Sequence, residues 1–273
     1  MAARFLFWSL SLYLALGALA IDPKAIYTRR SSSSCQPFQS DFRSGDVSRS
    51  SNSPFVAISP MGSYKVGGNG LELYLDKPSG QIKTKIEEGV PVNEKVAEGA
   101  TVNSTFTTLY GKISMELEGP AVAGAVTAAI LIEPDHDEID IELLGGDPEH
   151  WQSNVFTMGP KDQEPLYGVF GGLENYPQKP KRVDEVHRYT IDWNADRIIW
   201  SVDDTPVRTL RREETRKNGA LHYPSHAARI QLGIWDASYP AGTSEWARGP
   251  INWNTAPSRM VARFKSVSVE CPY

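Results

Sequence analysis

The sequence has little of several features that mark particular classes of protein. It contains two cysteines in 273 residues, which excludes a framework of several disulfides. It has no basic surplus, since 28 Lys and Arg face 33 Asp and Glu, whereas nucleic-acid binders usually carry a basic excess. Its five histidines show no metal-ligand spacing, and the G-x-S-x-G motif of serine hydrolases does not occur. We therefore expect no cofactor, no metal ion and no nucleic-acid partner.

Long apolar runs are also lacking, with one exception at the N-terminus. Residues 5–20 are mostly apolar and end at Ala20 in a small-x-small cleavage pattern, which predicts a secretory signal peptide over residues 1–20. The run is shorter than the roughly 20 residues that span a membrane, so a retained membrane anchor is the weaker alternative. Residues 21–34 are interpreted as a flexible segment or a pro-segment cut after Arg30. The prediction is a secreted protein, located outside the cell or in the cell wall, with no membrane anchor.

The two cysteines and a single glycosylation sequon predict two covalent modifications. A secreted chain meets an oxidising environment, which allows Cys35 and Cys271 to form a disulfide. In the chain-entropy model, closing so long a loop stabilises the fold by roughly 4–5 kcal/mol. Unpaired or differently paired thiols are the alternative. The sequon Asn103-Ser104-Thr105 predicts a sugar on Asn103.

The distribution of apolar residues predicts an all-β chain. Nineteen prolines, 22 glycines and 10% aromatic residues favour short strands and turns over long helices. Residues 71–76 alternate apolar and polar side chains, as half-buried strands do. Residues 125–132 are mostly apolar and fit a central strand, whereas residues 197–210 fit a hairpin. We predict a single domain over residues 35–273, built as an antiparallel two-sheet sandwich.

One short segment carries chemistry. Residues 137–142 read Asp-Glu-Ile-Asp-Ile-Glu. Alternate side chains of a strand share a face, so Glu138, Asp140 and Glu142 point one way and the isoleucines point to the core. Retaining glycoside cleavage needs such a set, because it uses two carboxyl groups about 5–5.5 Å apart. An acidic strand that is simply solvated is the alternative, but three like charges on one face repel one another.

The segment Glu-Ile-Asp-Ile-Glu resembles the E-x-D-x-E signature of glycoside hydrolase family sixteen. The surrounding chain is similar to the Crh-type fungal cell-wall transglycosylases of that family. The similar stretches are residues 136–147, 152–156, 187–193, 199–203, 207–210, 232–235 and 242–247. In that family the first Glu is the nucleophile, the Asp is its helper and the last Glu is the acid/base. The resemblance assigns these roles to Glu138, Asp140 and Glu142.

The resemblance also implies a fold and a binding set. It implies a concanavalin-like β-jelly-roll sandwich with a cleft on the concave sheet. Glycan clefts use flat aromatic rings and hydrogen-bonding side chains. The predicted substrate-binding residues are Glu142, Gln152, Asn154, Phe156, Gln231, Trp235, Thr243 and Trp246. The sequence departs from the family pattern at Gln231, where a basic residue is common, and at Ile141, where tryptophan is common. Trp193 and Trp200 are assigned to the core.

These observations predict a secreted retaining glycosidase or transglycosylase. It would cleave a β-1,4-linked chitin-type donor and transfer it to a glucan or chitin acceptor through a covalent glycosyl-enzyme intermediate. A hydrolytic endo-β-glucanase shares that intermediate and differs in whether water outcompetes a sugar acceptor. A carbohydrate-binding sandwich without turnover is the third possibility, and the intact acidic set argues against it. The expected partner is a polysaccharide, and the expected oligomeric state is a monomer.

Overall fold

The computed structural model describes residues 35–133, 137–160, 162, 164–177 and 181–273. The predicted signal peptide over residues 1–20, the segment 21–34 and His136 lie outside the described residues. Strands and turns dominate the described chain, beside one six-residue helix, α1 (Ala241–Trp246), and one 3-10 turn (Arg212–Thr215). No helix in these ranges has the length and apolar character needed to cross a membrane.

Twenty strands follow one another along the described chain. In order they are β1 (Phe38–Ser40), β2 (Val47–Ser48), β3 (Phe55–Ala57), β4 (Tyr64–Gly67), β5 (Gly70–Asp76), β6 (Thr84–Glu87), β7 (Val90–Asn93), β8 (Ala100–Ser104), β9 (Gly111–Glu118), β10 (Ala125–Ile132), β11 (Asp137–Leu144), β12 (His150–Thr157), β13 (Gly172–Asn175), β14 (His187–Trp193), β15 (Arg197–Val202), β16 (Thr205–Arg211), β17 (Arg216–Lys217), β18 (Ala220–Leu221), β19 (Arg229–Asp236) and β20 (Arg259–Glu270). The predicted hairpin is β15–β16. Its turn residues Asp203 and Asp204 both have positive φ, as a two-residue hairpin turn of type I′ requires.

Two eight-stranded sheets build the sandwich. The back sheet has the order β16-β15-β14-β9-β20-β5-β4, and β1 also pairs with β20. The front sheet has the order β13-β12-β11-β10-β19-β8-β3-β2. The pairing is antiparallel as predicted, except that β2 and β3 run parallel. Because β2 has only two residues and lies at the sheet edge, this exception leaves the rest of the front sheet unchanged.

The apolar members of the alternating stretches fill the space between the sheets. The three leucines of β5 are fully buried there, as are Ile139 and Ile141 of β11. Trp193 and Trp200 are fully buried in the same cluster, which confirms their assignment to the core. The predicted central strand is β10, which lies between β11 and β19. Since one face of the front sheet is committed to this core, its opposite face is left for function.

A disulfide joins Cys35 to Cys271, as predicted. Beside it β1 pairs with β20, and Phe38 lies opposite Val269. The bridge therefore fixes two strands that are neighbours in any case. Its main effect falls on the unfolded chain, whose ends it holds together across 236 residues of sequence.

Replacing Cys35 and Cys271 together by serine is expected to lower the free energy of unfolding by about 5 kcal/mol, as the chain-entropy model gives for so long a loop. Chemical denaturation followed by tryptophan fluorescence measures the loss. Reduced wild-type protein is the matched control, because reduction opens the bridge without a substitution. Denaturation midpoints equal to that of the oxidised wild type would refute the entropic account.

Candidate active site

Strand β11 presents three carboxyl groups on one face. Its odd-numbered residues Ile139, Ile141 and Leu143 belong to the core, so Glu138, Asp140 and Glu142 point away from it. We call this side of the front sheet the acid face. Since β10 and β12 flank β11, the carboxyls lie within the sheet rather than at its edge.

The strand register defines three rows of side chains across the acid face. Directly paired residues of antiparallel strands point to the same side of a sheet. The Glu138 row is Phe156, Glu138, Ile132 and Arg229. The Asp140 row is Asn154, Asp140, Ile130, Gln231 and Asn103. The Glu142 row is Gln152, Glu142, Ala128, Gly233 and Thr101. The predicted residues Gln152, Asn154, Phe156 and Gln231 are thus brought together with the acids.

Aromatic side chains rise on the Glu142 side of the acid face. Trp235 and Trp246 stack with ring centroids 5.8 Å apart and ring planes 16° apart. The indole Nε1 of Trp246 donates a hydrogen bond of 2.9 Å to Oε1 of Gln152, which holds α1 over the sheet. Thr243 lies in the same helix but is only 6% exposed. Of the predicted substrate-binding residues, Thr243 therefore has the least surface to offer a sugar.

A second aromatic pair lies on the Glu138 side of the acid face. Phe156 contacts Tyr167 of the loop that follows β12, with ring centroids 5.4 Å apart. We call the space over the acid face between this pair and the tryptophan pair the groove. It runs across the strands, so a linear glycan in it would pass between Glu138 and Glu142.

Small residues leave room on the groove floor beside Glu142. Its neighbours in the row across β10 and β19 are Ala128 and Gly233. A Cβ placed on Gly233 would make only ordinary van der Waals contacts. The nearest atoms would be the Ala100 carbonyl oxygen at 3.4 Å and Thr101 Oγ1 at 3.5 Å. The fold therefore does not require glycine at this position for space, and the empty volume is available to a ligand.

Replacing Gly233 by leucine is expected to fill the groove and lower kcat/KM by about 100-fold, since small displacements of a substrate cost that much. Gly233→Ala is the matched control and should stay within a few-fold of wild type, because one methyl group fits the space. Steady-state kinetics and thermal unfolding are measured on both variants. A folded leucine variant with full activity would place the substrate elsewhere.

The environment of the acids separates their protonation states. Burial raises the pKa of Glu142 to about 8, and the negative charge of Glu138 adds to the rise. Burial also raises the pKa of Glu138, but the Asp140 carboxyl opposes that rise. For Asp140, burial and the charges of both glutamates hold the pKa well above its usual range. At neutral pH Glu142 is thus protonated and Glu138 is the member most able to carry charge, which is the split that acid/base chemistry requires.

Asp140 is the most enclosed of the three acids. It is 1% exposed, and neither of its carboxyl oxygens makes a hydrogen bond of ordinary geometry with a described residue. The interaction between the two side chains nevertheless lowers the pKa of Glu138 and raises that of Asp140. A protonated Asp140 is the member of this pair that can donate a hydrogen bond to the Glu138 carboxylate.

The back sheet also positions β11, through contacts that could not be predicted from the sequence. Trp200 Nε1 donates a hydrogen bond of 3.1 Å to the Asp140 carbonyl oxygen across the sandwich. The guanidinium of Arg208 lies 4.6 Å from the Trp200 ring centroid and donates to the Ser153 carbonyl oxygen on β12. The partners are far apart in sequence and on different sheets, so no local pattern signals these contacts.

A separate cavity of about 440 Å³ lies away from these acids. Its lining includes Lys77, Asn93 and Trp253, and no aspartate or glutamate of the described chain lines it. Its lysine donates to the Trp253 carbonyl oxygen, and Asn93 Nδ2 donates to the Ile251 carbonyl oxygen. Because this cavity has no acid in its lining, the acid face is the better candidate for catalysis. Within the described ranges, no group of three or more His, Cys, Asp and Glu is arranged to hold a metal ion.

Comparison with known families places this geometry in context. The family model for glycosyl hydrolases family 16 matches residues 55–260. The Crh-like protein CRH11 of Candida albicans is 31% identical over 221 residues, which cover 79% of this chain and 41% of that protein. Crh-like protein 2 of Aspergillus fumigatus is 34% identical over 202 residues, which cover 68% of this chain and 43% of that protein. The chain thus spans less than half the length of these curated relatives.

Solved structures show the same fold. The Crh5 transglycosylase in complex with NAG superposes with a TM-score of 0.66 at 27% identity, covering 88% of this chain and 89% of that chain. The laminarinase catalytic domain from Thermotoga maritima superposes with a TM-score of 0.67 at 16% identity, covering 88% of this chain and 99% of that chain. At that lower identity the second likeness concerns the fold alone.

Proposed function

The chain belongs to glycosyl hydrolase family 16, and from this premise we propose that it is a retaining cell-wall transglycosylase. The observation that carries the proposal is the pair Glu138 and Glu142 on one face of β11, with burial and charge holding Glu142 protonated near neutral pH. Similarity to Crh-like proteins supports the cell wall as the place of action. The N-terminal leader predicted from the sequence supports secretion.

In the first step the Glu138 carboxylate attacks the anomeric carbon of the donor. A bond forms between carbon and carboxylate oxygen as the glycosidic bond breaks, and Glu142 gives its proton to the departing oxygen. The products are a covalent glycosyl-enzyme ester and a shortened glycan. The raised pKa of Asp140 favours its protonated form, which is suited to donate a hydrogen bond to Glu138 and to orient it.

In the second step Glu142, now a carboxylate, takes a proton from an acceptor hydroxyl. The acceptor oxygen attacks the anomeric carbon and the bond to Glu138 breaks, which restores both side chains. A sugar acceptor gives transglycosylation, and water gives hydrolysis. Two inversions leave the anomeric configuration unchanged.

The groove suits an N-acetylated β-1,4-linked donor. Its floor offers neutral carboxamides at Gln152, Asn154 and Gln231, which can pair with hydroxyl and acetamido groups of a sugar. The stacked tryptophans offer apolar surface to the sugar ring faces. The similar Crh5 transglycosylase structure contains NAG, which favours a chitin-type donor for this chain as well. The acceptor is proposed to be β-glucan or chitin.

Mass spectrometry of reaction products tests this function. The protein is incubated with chitin oligosaccharides, with and without a labelled β-1,3-glucan oligosaccharide. Labelled products that contain both sugars would establish a chitin–glucan transglycosylase. Shortened chitin fragments alone would make the protein a hydrolase. If chitin is unchanged but β-glucans offered alone are cleaved, β-glucan is the donor instead of chitin. If neither is cleaved, the protein is a carbohydrate-binding protein without turnover.

A further inference from the structure

We propose that Asn103, which the sequence marks only as a glycosylation site, is a polysaccharide-contacting residue on the groove floor. An N-linked glycan on Asn103 and a bound polysaccharide would then exclude one another. The inference rests on the proposed function, because it extends the same groove. Asn103 would be a binding position remote from the acids, and N-glycosylation of Asn103 would block it.

The register of the front sheet places Asn103 on the acid face. Its strand neighbour Val102 is fully buried in the core, so the Asn103 side chain points to the opposite side. Asn103 lies opposite Gln231, in the row that leads through Ile130 to Asp140. Three interstrand spacings separate it from Asp140, about 14 Å. A glycan that runs along the groove passes over Asn103 a few sugar rings from the cleaved bond.

The Asn103 carboxamide is prepared for a ligand. Asn103 is half-buried, and its Oδ1 is buried without a hydrogen-bond partner among the described residues. A buried acceptor without a partner costs free energy. Rotation of the amide exchanges its oxygen and nitrogen, which would bring the oxygen to the exposed side of this half-buried residue, where a sugar hydroxyl can donate to it. Together with Gln231 it forms a pair of neutral carboxamides, which suits hydroxyl and acetamido groups.

The sequon geometry makes a glycan and a substrate competitors. Thr105, the third sequon residue, is buried, and its Oγ1 donates to the carbonyl oxygens of Ser53 and Pro54. Along the sheet Asn103 is flanked by Val56 and Gln231, and behind it lies the core. A glycan attached to Asn103 therefore extends from the acid face, over the floor of the groove. An occupied sequon would fill the path of a long polysaccharide and leave the acids themselves intact.

The first test uses protein made without N-glycosylation. Asn103→Ala is expected to lower kcat/KM about two- to tenfold for long chitin oligosaccharides, as the loss of one or two hydrogen bonds predicts. Oligosaccharides too short to reach β8 should be unaffected. Thr105→Val is the matched control, because it removes the sequon and keeps the carboxamide. Equal loss on short and long oligosaccharides, or no loss on either, would overturn the contact.

The second test uses protein from a host that N-glycosylates. Lectin chromatography separates the occupied form, and peptide mass spectrometry verifies the sugar on Asn103. The occupied form should lose detectable turnover of long oligosaccharides and keep that of short ones, whereas Thr105→Val from the same host should act on both. Full activity of the occupied form, or an empty sequon, would overturn the switch. If unmodified wild type cleaved no oligosaccharide of any length, the proposed function itself would fail instead.

Discussion

Replacing Glu138 by glutamine is expected to reduce turnover of an unactivated oligosaccharide by about 10⁴-fold or more, because the amide retains the shape of the carboxylate but cannot attack carbon. Product release is measured by mass spectrometry under single-turnover conditions. Glu116→Gln is the matched control, since it makes the same chemical change on the outer face of the back sheet, where Glu116 pairs with Arg188. That variant should keep wild-type turnover.

Rescue by azide tests the roles of the two glutamates separately. In Glu138→Gly, azide can occupy the vacated space and attack an activated β-glycoside directly, which gives an α-glycosyl azide by a single inversion. In Glu142→Ala, azide would attack the glycosyl-enzyme ester and give a β-glycosyl azide. Products of the opposite configurations would exchange the two assigned roles. A Glu138→Gln variant with a tenth or more of wild-type turnover would exclude Glu138 as the nucleophile.

The position of the acids could be predicted because it depends on one local period. A strand has a side-chain repeat of two, so the isoleucines of β11 alone decide that Glu138, Asp140 and Glu142 point outward. The same rule predicted the half-buried strands of the two sheets. The disulfide followed from the presence of only two cysteines in a chain predicted to be secreted.

The surroundings of the acids could not be predicted because they depend on register between distant strands. Gly233 reaches the Glu142 row through two strand pairings, and Asn103 reaches the Asp140 row through three. A shift of one residue in any of these pairings would turn such side chains into the core. For the same reason the sequon at Asn103 could be recognised, but its place on the groove floor could not.

Burial was the second property that the sequence left open. The sequence shows three acids at alternate positions, but it does not show how far water is excluded from each. The pKa of Glu142 rises to about 8 because it is buried and because the negative charge of Glu138 lies near. The sequence alone supplied the residue types and their order. The physical reason for calling Glu142 the acid and Glu138 the nucleophile comes from their burial in the packed sheet.

Raising the pH through about 8 is expected to lower kcat/KM steeply, because Glu142 must hold a proton to release the leaving group. A raised pKa keeps this acid protonated through neutral pH, and each pH unit above the pKa removes about tenfold of the active form. At the acidic end the rate falls as Glu138 takes up a proton and loses its ability to attack. The profile should therefore be bell-shaped, and kcat/KM measured with a natural oligosaccharide reports it.

Glu142→Gln is expected to lose about 10²- to 10⁴-fold with a natural oligosaccharide, the usual contribution of a general acid. With a donor whose leaving group needs no proton, the variant should still form the glycosyl-enzyme, and the alkaline limb of the profile for that step should disappear. Because the charge of Glu138 contributes to the raised pKa of Glu142, Glu138→Gln should move the Glu142 titration to lower pH. NMR of labelled glutamate side chains measures that shift in an enzyme that cannot turn over. An alkaline limb that persists in Glu142→Gln would assign the proton to another group, and an unmoved Glu142 titration would mean that burial alone sets its pKa.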